Sequence, residues 1–313
     1  MTARPLNIVF MGNPEFAVPS LRRLVDSKHI VAAVVTGSDK RRGRGGKRSP
    51  SPVKKVALEA SLPVIEADDV RTKAFADTLK HLKPDLLIVV AYKILPTDVL
   101  AIPAIGSLNL HASLLPKYRG AAPIHWALVN GEQETGCTVF LLDEGMDTGA
   151  ILGQEKISVD VMETTGDVYE RLKVTGADLM KRTIDKLAAG MHVSTLQSNE
   201  NASQAPRVSV DDAKINFYRD ALTVHNLIRG MSPFPGAWTI HNEKKLKITR
   251  SEPALDIDLK PGRAELIRGQ AYVGCYDGSV KLVEVRPEGK KAMSGNEFLN
   301  GAGGSAILGD QHR

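Results

Sequence analysis

Cysteine is nearly absent from the 313-residue sequence: there are two, Cys137 and Cys275. That excludes a disulfide framework, and no Cys/His spacing suggests a zinc site, so no metal is expected. Both thiols lie in apolar runs, which fits a reducing compartment. No apolar run approaches the ~20 residues of a membrane helix. The short apolar run near the N-terminus reads as a first strand, not a signal peptide. Together these features predict a cytoplasmic protein with no membrane partner. No Gly-x-Gly-x-x-Gly follows the first strand, so nothing supports a nicotinamide cofactor. Charge of one sign is also scarce overall, with 41 Lys and Arg against 36 Asp and Glu.

What the chain does have is an ordinary globular balance, 42% hydrophobic and 25% charged, at a length that suits two domains. Its net charge of +5 is unevenly spread. Residues 37–55 hold eight Lys or Arg against Asp39, a local charge of 8 − 1 = +7, so the remainder sums to −2. With Gly43, Gly45 and Gly46 this stretch predicts a flexible loop, either a solvated insertion, a nuclear-import signal or an arm for RNA phosphates.

The periodicities predict the fold. Apolar strands at 6–11, 30–36 and within 84–92 alternate with helices at 17–25, from Ser51-Pro52 through Ala60, and at 71–82. Asn13 is the expected N-cap of the first helix, with Pro14 in its first position. Residues 151–159 alternate as a strand near the sheet edge. Thr164-x-x-Asp167 opens a long helix that Gly190 ends. This is a doubly wound, Rossmann-like parallel α/β domain over 1–190. Residues 191–207 are polar and aperiodic, and read as a linker. In 208–313 one helix at 221–230 precedes short strands at 238–240, 246–251, 263–268, 271–275 and 280–285. These predict a small OB-like β-barrel with basic edges.

The chemistry concentrates at 107–149. Asn109 and His111 are two apart in a strand, so they share one face. A second apolar strand, 137–143, runs into a turn where Gly145 and Gly149 flank Asp147. If the two strands are neighbours, Asp147 reaches His111. Singly, such a His or Asp is an ordinary strand-end or turn residue. Jointly, an amide donor, an imidazole and a carboxylate at strand ends suit acyl transfer. Ala122–Val129, with His125 and Trp126, is expected as a helix beneath this site. Lys117, Arg119 and Gly120 can face a substrate, although such charges are usually solvated.

Asn109-x-His111-x-Ser113-Leu114-Leu115-Pro116, then Arg119-Gly120-Ala121-Ala122-Pro123-Ile124, then Asp147-Thr148-Gly149 resembles the 10-formyltetrahydrofolate-dependent formyltransferases, and the likeness extends over nearly the whole chain. Gly289-Lys290-Lys291-Ala292-Met293-Ser294 is similar to the end of the tRNA-directed branch. The resemblance implies transfer of the formyl group of 10-formyltetrahydrofolate to methionyl-initiator tRNA in translation initiation, with no obligate protein partner. It implies catalytic roles for Asn109, His111 and Asp147. It implies donor contacts at Ser113, Leu114, Leu115, Pro116, Val90, Tyr92 and Asp143. Contacts to tRNA are implied for Arg41, Arg42, Arg44 and Lys47, and basic barrel residues Lys244, Lys245 and Lys247 are added to them. This chain departs from the family pattern at Asn13, at Ser38-Asp39-Lys40-Arg41, and at Lys93, which stands where relatives carry glycine, in a segment one residue shorter. Two other readings stay open: a formyltransferase for a small amine such as an amino sugar, and a basic RNA-binding protein on an inactive scaffold.

Overall fold

A computed structural model describes residues 4–41, 46 and 48–309. The chain forms two compact units. The first comprises Met1–Gly120, Gly136–Ile157 and Tyr169–Gln204; the second comprises Ala121–Thr135, Ser158–Val168 and Ala205–Arg313. Two short excursions from the N-terminal half therefore pack with the C-terminal half.

In the first unit the strands are β1 (Asn7–Gly12), β2 (Ile30–Thr36), a small hairpin of β3 (Lys40–Arg41) and β4 (Arg48–Ser49), β5 (Val64–Glu66), β6 (Leu86–Val90), β7 (Gly106–His111), β8 (Glu134–Leu141) and β9 (Ile151–Ser158). The sheet order is β5-β2-β1-β6-β7-β8-β9. Pairing is parallel from β5 to β7, and β8 runs antiparallel to β7. From β1 the chain winds outward through β2 to β5, then returns to the far side of β1 as β6. The strand order reverses there, and open α/β sheets hold ligands at the carboxyl ends beside such a reversal. Every residue of β6 is buried, as expected of a strand covered on both faces. Helices α1 (Val18–Val25), α2 (Pro52–Glu59), α3 (Lys73–Leu82) and α4 (Thr97–Leu100) connect these strands. Phe75 and Leu79 of α3 bury against Val9, Met11, Leu87 and Val89 in one apolar cluster.

Local signals explain most boundaries. Ser51 Oγ accepts from Lys54 N (3.0 Å), capping α2. Thr72 caps α3 in the same way (3.2 Å to Phe75 N). The long helix α6 (Thr165–Ala188) opens on a reciprocal Thr164–Asp167 pair and is followed by Gly190 at φ 67°. The first helix is a correction. Asn13 does not cap it, because a 3-10 turn at Glu15–Ala17 intervenes. Asn13 Oδ1 instead accepts from Thr36 Oγ1 and Gly37 N, both at 2.8 Å, and so ties the end of β1 to the end of β2. The short strands β3 and β4 were not expected within the basic stretch.

The second unit contains α5 (Pro123–Val129), α7 (Ala221–Gly230), β10 (Ala237–His241), β11 (Lys244–Ala254), β12 (Arg263–Ile267), β13 (Gln270–Gly274), β14 (Ser279–Pro287), β15 (Met293–Ser294), α8 (Gly295–Gly301) and β16 (Ser305–Ile307). Its antiparallel sheet runs β10-β11-β14-β13-β12-β16, with β15 added to β14. A backbone bond from Gly309 N to Ile240 O (2.9 Å) joins the two ends of that order, so the sheet curls into the expected barrel. Helix α5 packs with α7. Gly230 makes this possible, since a Cβ there would meet Val129 Cγ2 at 2.6 Å and Val129 N at 2.9 Å. No helix among the described residues is long and apolar enough to cross a membrane.

Candidate active site

The site is built on β7. Leu108 and Leu110 are buried on one face, where Leu110 closes on α6 at Gly176; a Cβ on Gly176 would lie 2.8 Å from the leucine. Asn109 and His111 therefore take the opposite face. Strands β7 and β8 are neighbours, with His111 opposite Thr138, so the predicted route for Asp147 to His111 exists.

His111 is 6% exposed. Its Nε2 lies 2.8 Å from Tyr118 O. A carbonyl only accepts, so Nε2 carries the proton, and Nδ1 is left facing Asp147 Oδ2 at 3.6 Å. The same Oδ2 accepts from Gly120 N at 2.8 Å. Among the described residues Asp147 Oδ1 and the side-chain amide of Asn109 have no hydrogen-bond partner. The arrangement thus holds one carboxylate oxygen fixed and leaves an acceptor and an amide donor open.

The turn that presents Asp147 depends on small residues. A Cβ on Gly149 would sit 1.7 Å from Leu141 O, and one on Gly145 would sit 2.0 Å from Thr148 Oγ1. Asp143 Oδ1 accepts from Gly145 N (3.0 Å) and Thr148 Oγ1 (2.7 Å), closing the turn from inside. Asp147 itself has φ 56°. That left-handed conformation costs an L-residue roughly 1–2 kcal/mol, so contacts elsewhere must hold it.

Those contacts include residues that sequence reasoning missed. Gln197 Nε2 donates to Asp147 O (2.9 Å) and to Gly149 O (2.8 Å). Ser203 Oγ accepts from Tyr118 N (2.9 Å), and Ser203 O accepts from Arg119 N (2.8 Å). Both lie in the stretch expected to be a linker. Arg119, expected to meet substrate or solvent, is 6% exposed and bonds Gln197 Oε1 and Asn199 Oδ1. The one available signal was the density of Gln, Asn and Ser between 197 and 203, whose side chains can replace lost backbone pairing.

The predicted donor-contact residues divide. Ser113 and Leu115 are buried; Ser113 Oγ donates to Lys117 O (2.6 Å), and Thr138 Oγ1 joins Ser113 O (2.7 Å) to Leu115 N (3.1 Å). Leu114 and Pro116 are half-buried. Val90 is buried at the end of β6, opposite Gly12 of β1. Tyr92 donates its hydroxyl to Ala67 O (3.1 Å), and burial, with the charge of Asp68, pushes its pKa up to about 12. It is a neutral donor at working pH. Lys93 Nζ wraps back to Ala67 O (2.9 Å) and Asp68 O, so Lys93 clasps the loop after β5.

The basic stretch is tied at its roots. Asp68 accepts from Ser38 N (3.1 Å) and Ser38 Oγ (2.6 Å). Lys54 Nζ pairs with Asp39 (2.6 Å) and Glu66 (2.7 Å), and these bonds raise its pKa. Arg42, Arg44 and Lys47 lie outside the described residues, as does the side chain of Arg41. In the barrel unit Lys245 Nζ sits 4.4 Å from the Trp238 ring centre. Lys247 Nζ donates to Pro235 O (2.6 Å), and Lys244 is exposed. His125 of α5 faces Phe234 O (3.0 Å) through Nε2, and burial holds its pKa below the usual value, which is a structural role.

Comparison with known proteins follows the same division of the chain. Residues 6–184 match the family described as formyl transferase, and residues 207–303 match the formyl transferase C-terminal domain. A methionyl-tRNA formyltransferase of Thermodesulfovibrio yellowstonii is 43% identical over 295 residues, 94% of this chain and 95% of the relative. One from Pelotomaculum thermopropionicum is 43% identical over 300 residues, 95% of this chain and 96% of the relative. Among solved structures, the sugar 3N-formyl transferase WlaRD, crystallised with dTDP and 5-N-formyl-THF, superposes with a TM-score of 0.67 at 21% identity. That match covers 91% of this chain and 99% of the other. HypX of Aquifex aeolicus in complex with tetrahydrofolic acid gives a TM-score of 0.63 at 18% identity, over 94% of this chain and 47% of that one.

Proposed function

The chain belongs to the formyl transferase family, and on that premise we propose that it transfers the formyl group of 10-formyltetrahydrofolate to the α-amino group of methionyl-initiator tRNA. The supporting observation is an open Asn109 amide beside a His111–Asp147 pair, in a chain 43% identical to tRNA-directed relatives over almost its full length. The reaction belongs to translation initiation and takes place in the cytoplasm.

The amine nitrogen attacks the formyl carbon, and the formyl oxygen gains charge. Asn109 donates to that oxygen, as a preorganised oxyanion donor. In this geometry His111 Nε2 is bonded to Tyr118 O and Gly120 N holds Asp147 Oδ2, so the imidazole works at Asp147: a proton taken up on Nδ1, which faces Oδ2, would add a second hold on that oxygen. The open Oδ1 accepts the proton the attacking amine must lose. Collapse breaks the bond between the formyl carbon and N10 of the folate, and the proton passes to N10. A free α-amino group has a pKa of ~7.7–8, so part of the substrate is already neutral at working pH. The activated one-carbon unit is supplied by the folate, and the proposed mechanism uses no metal or redox cofactor.

Residues 113–116, the end of β6 with Tyr92, and Asp143 line the donor side in this reading. The basic arm within 37–55 and the barrel lysines 244, 245 and 247 gather tRNA phosphates. The test is a transfer assay with 10-formyltetrahydrofolate and three acceptors: charged initiator tRNA, elongator methionyl-tRNA and a nucleotide-linked amino sugar. Selective formylation of the initiator supports the proposal. Formylation of the sugar alone assigns the chain to a small-amine branch, and tRNA binding without transfer makes it an RNA-binding protein.

A further inference from the structure

Gln197 occupies an unusual position for a residue in a polar, aperiodic stretch. Its side chain makes four hydrogen bonds, all to the two segments that frame the candidate site. Oε1 accepts from Arg119 Nε (3.1 Å) and Nη2 (2.8 Å), and Nε2 donates to Asp147 O (2.9 Å) and Gly149 O (2.8 Å). A guanidinium only donates and main-chain carbonyls only accept, so the amide fits in one orientation. Arg119 is held at its other end by Asn199 Oδ1 (2.9 Å) and has no carboxylate partner among the described residues. A buried cation of this kind is expensive to leave unpaired, so the Gln197 contact is not interchangeable with solvent.

Both neighbours of Arg119 touch the candidate catalytic pair. Tyr118, at φ 61°, gives its carbonyl to His111 Nε2; Gly120 gives its N–H to Asp147 Oδ2. Gln197 thus connects the loop that holds His111 to the turn that carries Asp147, gripping Asp147 by its own carbonyl. The geometry points to Gln197 as a positioning residue that sets the separation between His111 and Asp147, an assignment that rests on the formyl-transfer reading above.

Gln197→Ala should lower kcat by about 10- to 100-fold while KM for donor and for tRNA stay within about threefold, because binding groups are untouched and reacting atoms are displaced. In an Asp147→Asn background the same change should cost less than about threefold, since there is no longer a carboxylate to position. A wild-type kcat in Gln197→Ala, or an equal loss in both backgrounds, overturns the assignment. Should the alanine variant fail to fold, Gln197→Glu replaces it. That variant keeps an oxygen facing Arg119 and loses both donors, and the same outcomes are read. If the wild type transfers no formyl group to any tRNA, the parent reading has failed, and the clamp is judged by nitrogen NMR of His111 in labelled protein. The wild type should then show the Nε2-protonated tautomer and Gln197→Glu a mixture of tautomers; identical spectra overturn the clamp.

Discussion

The turn at 143–149 and the basic arm within 37–55 both follow strands of the first unit, and the proposed function asks opposite things of their polar groups. In the turn, Asp143 closes the chain on itself, Gly149 admits Leu141 O where no side chain fits, and Asp147 is fixed at its carbonyl and at one carboxylate oxygen. At the described ends of the arm, Ser38 meets Asp68 and Lys54 meets Asp39 and Glu66. On the proposed function, one segment has to place a single atom and the other has to place charge. Chemistry requires the first, because a displaced base loses its reaction; phosphate capture tolerates the second, because Coulomb attraction falls off gradually. The two should therefore fail in different kinetic parameters.

The sharpest break is Asn109→Ala. Removing the oxyanion donor should cut kcat by roughly 10²–10³, with donor affinity unchanged in a folate titration. Turnover near wild type would remove Asn109 from the mechanism. Asp147→Asn should follow, with a loss of at least ~10² in rate, since the amide is nearly isosteric and takes no proton. If only the pH optimum moves, Asp147 is a turn residue.

The arm tests the other half of the comparison. Replacing Arg41, Arg42 and Arg44 together with alanine should weaken tRNA binding and lower its salt dependence, by roughly 0.7–0.9 in log–log slope for each phosphate no longer neutralised. Donor affinity should be unchanged, and the lysines of the barrel unit should retain part of the tRNA affinity. Titrations at several salt concentrations measure both; an unchanged slope would reduce the arm to a solvated insertion.

The smallest effect concerns the arm's root. The pKa of Lys54 is raised by its bonds to Asp39 and Glu66. The stability this contributes is fully present below the ordinary lysine value of ~10.4 and is lost as pH rises through the raised value. Lys54→Met should lower Tm by roughly 2–4 °C at neutral pH. The gap between the two proteins should narrow in alkaline melts, and a constant gap would show that the charge contributes nothing.

How much of this was legible in the sequence follows from the range of each interaction. Strands such as Leu86–Val90 and caps such as Ser51 and Thr164 are fixed by neighbours within a few residues, and their signals were clear. The shared face of Asn109 and His111 follows from the period of a strand, and the Gly145–Gly149 turn from its glycines. Gln197 was invisible because its three partner residues lie about 50 to 80 positions away, and an aperiodic polar stretch looks the same whether it is solvated or clamped. Asn13 was misread because a good capping residue is equally good at joining two strand ends. For helix α5 the sequence says that it is amphipathic, not which apolar surface it will meet; Gly230, over 100 positions away, admits its contact with α7. The β3–β4 hairpin was hidden by charge, since Lys40, Arg41 and Arg48 carry no strand pattern.

The central claim is that reaction and capture are separable in this chain. It is tested most directly by single-turnover formyl transfer at saturating donor and saturating initiator tRNA, run in parallel for the wild type, Asn109→Ala and the Arg41/Arg42/Arg44 alanine variant. At saturation the arm variant should react within about threefold of wild type, because its defect is in binding, while Asn109→Ala should remain roughly 10²–10³ slower. An arm variant that stays as slow as Asn109→Ala when every site is filled would contradict the account.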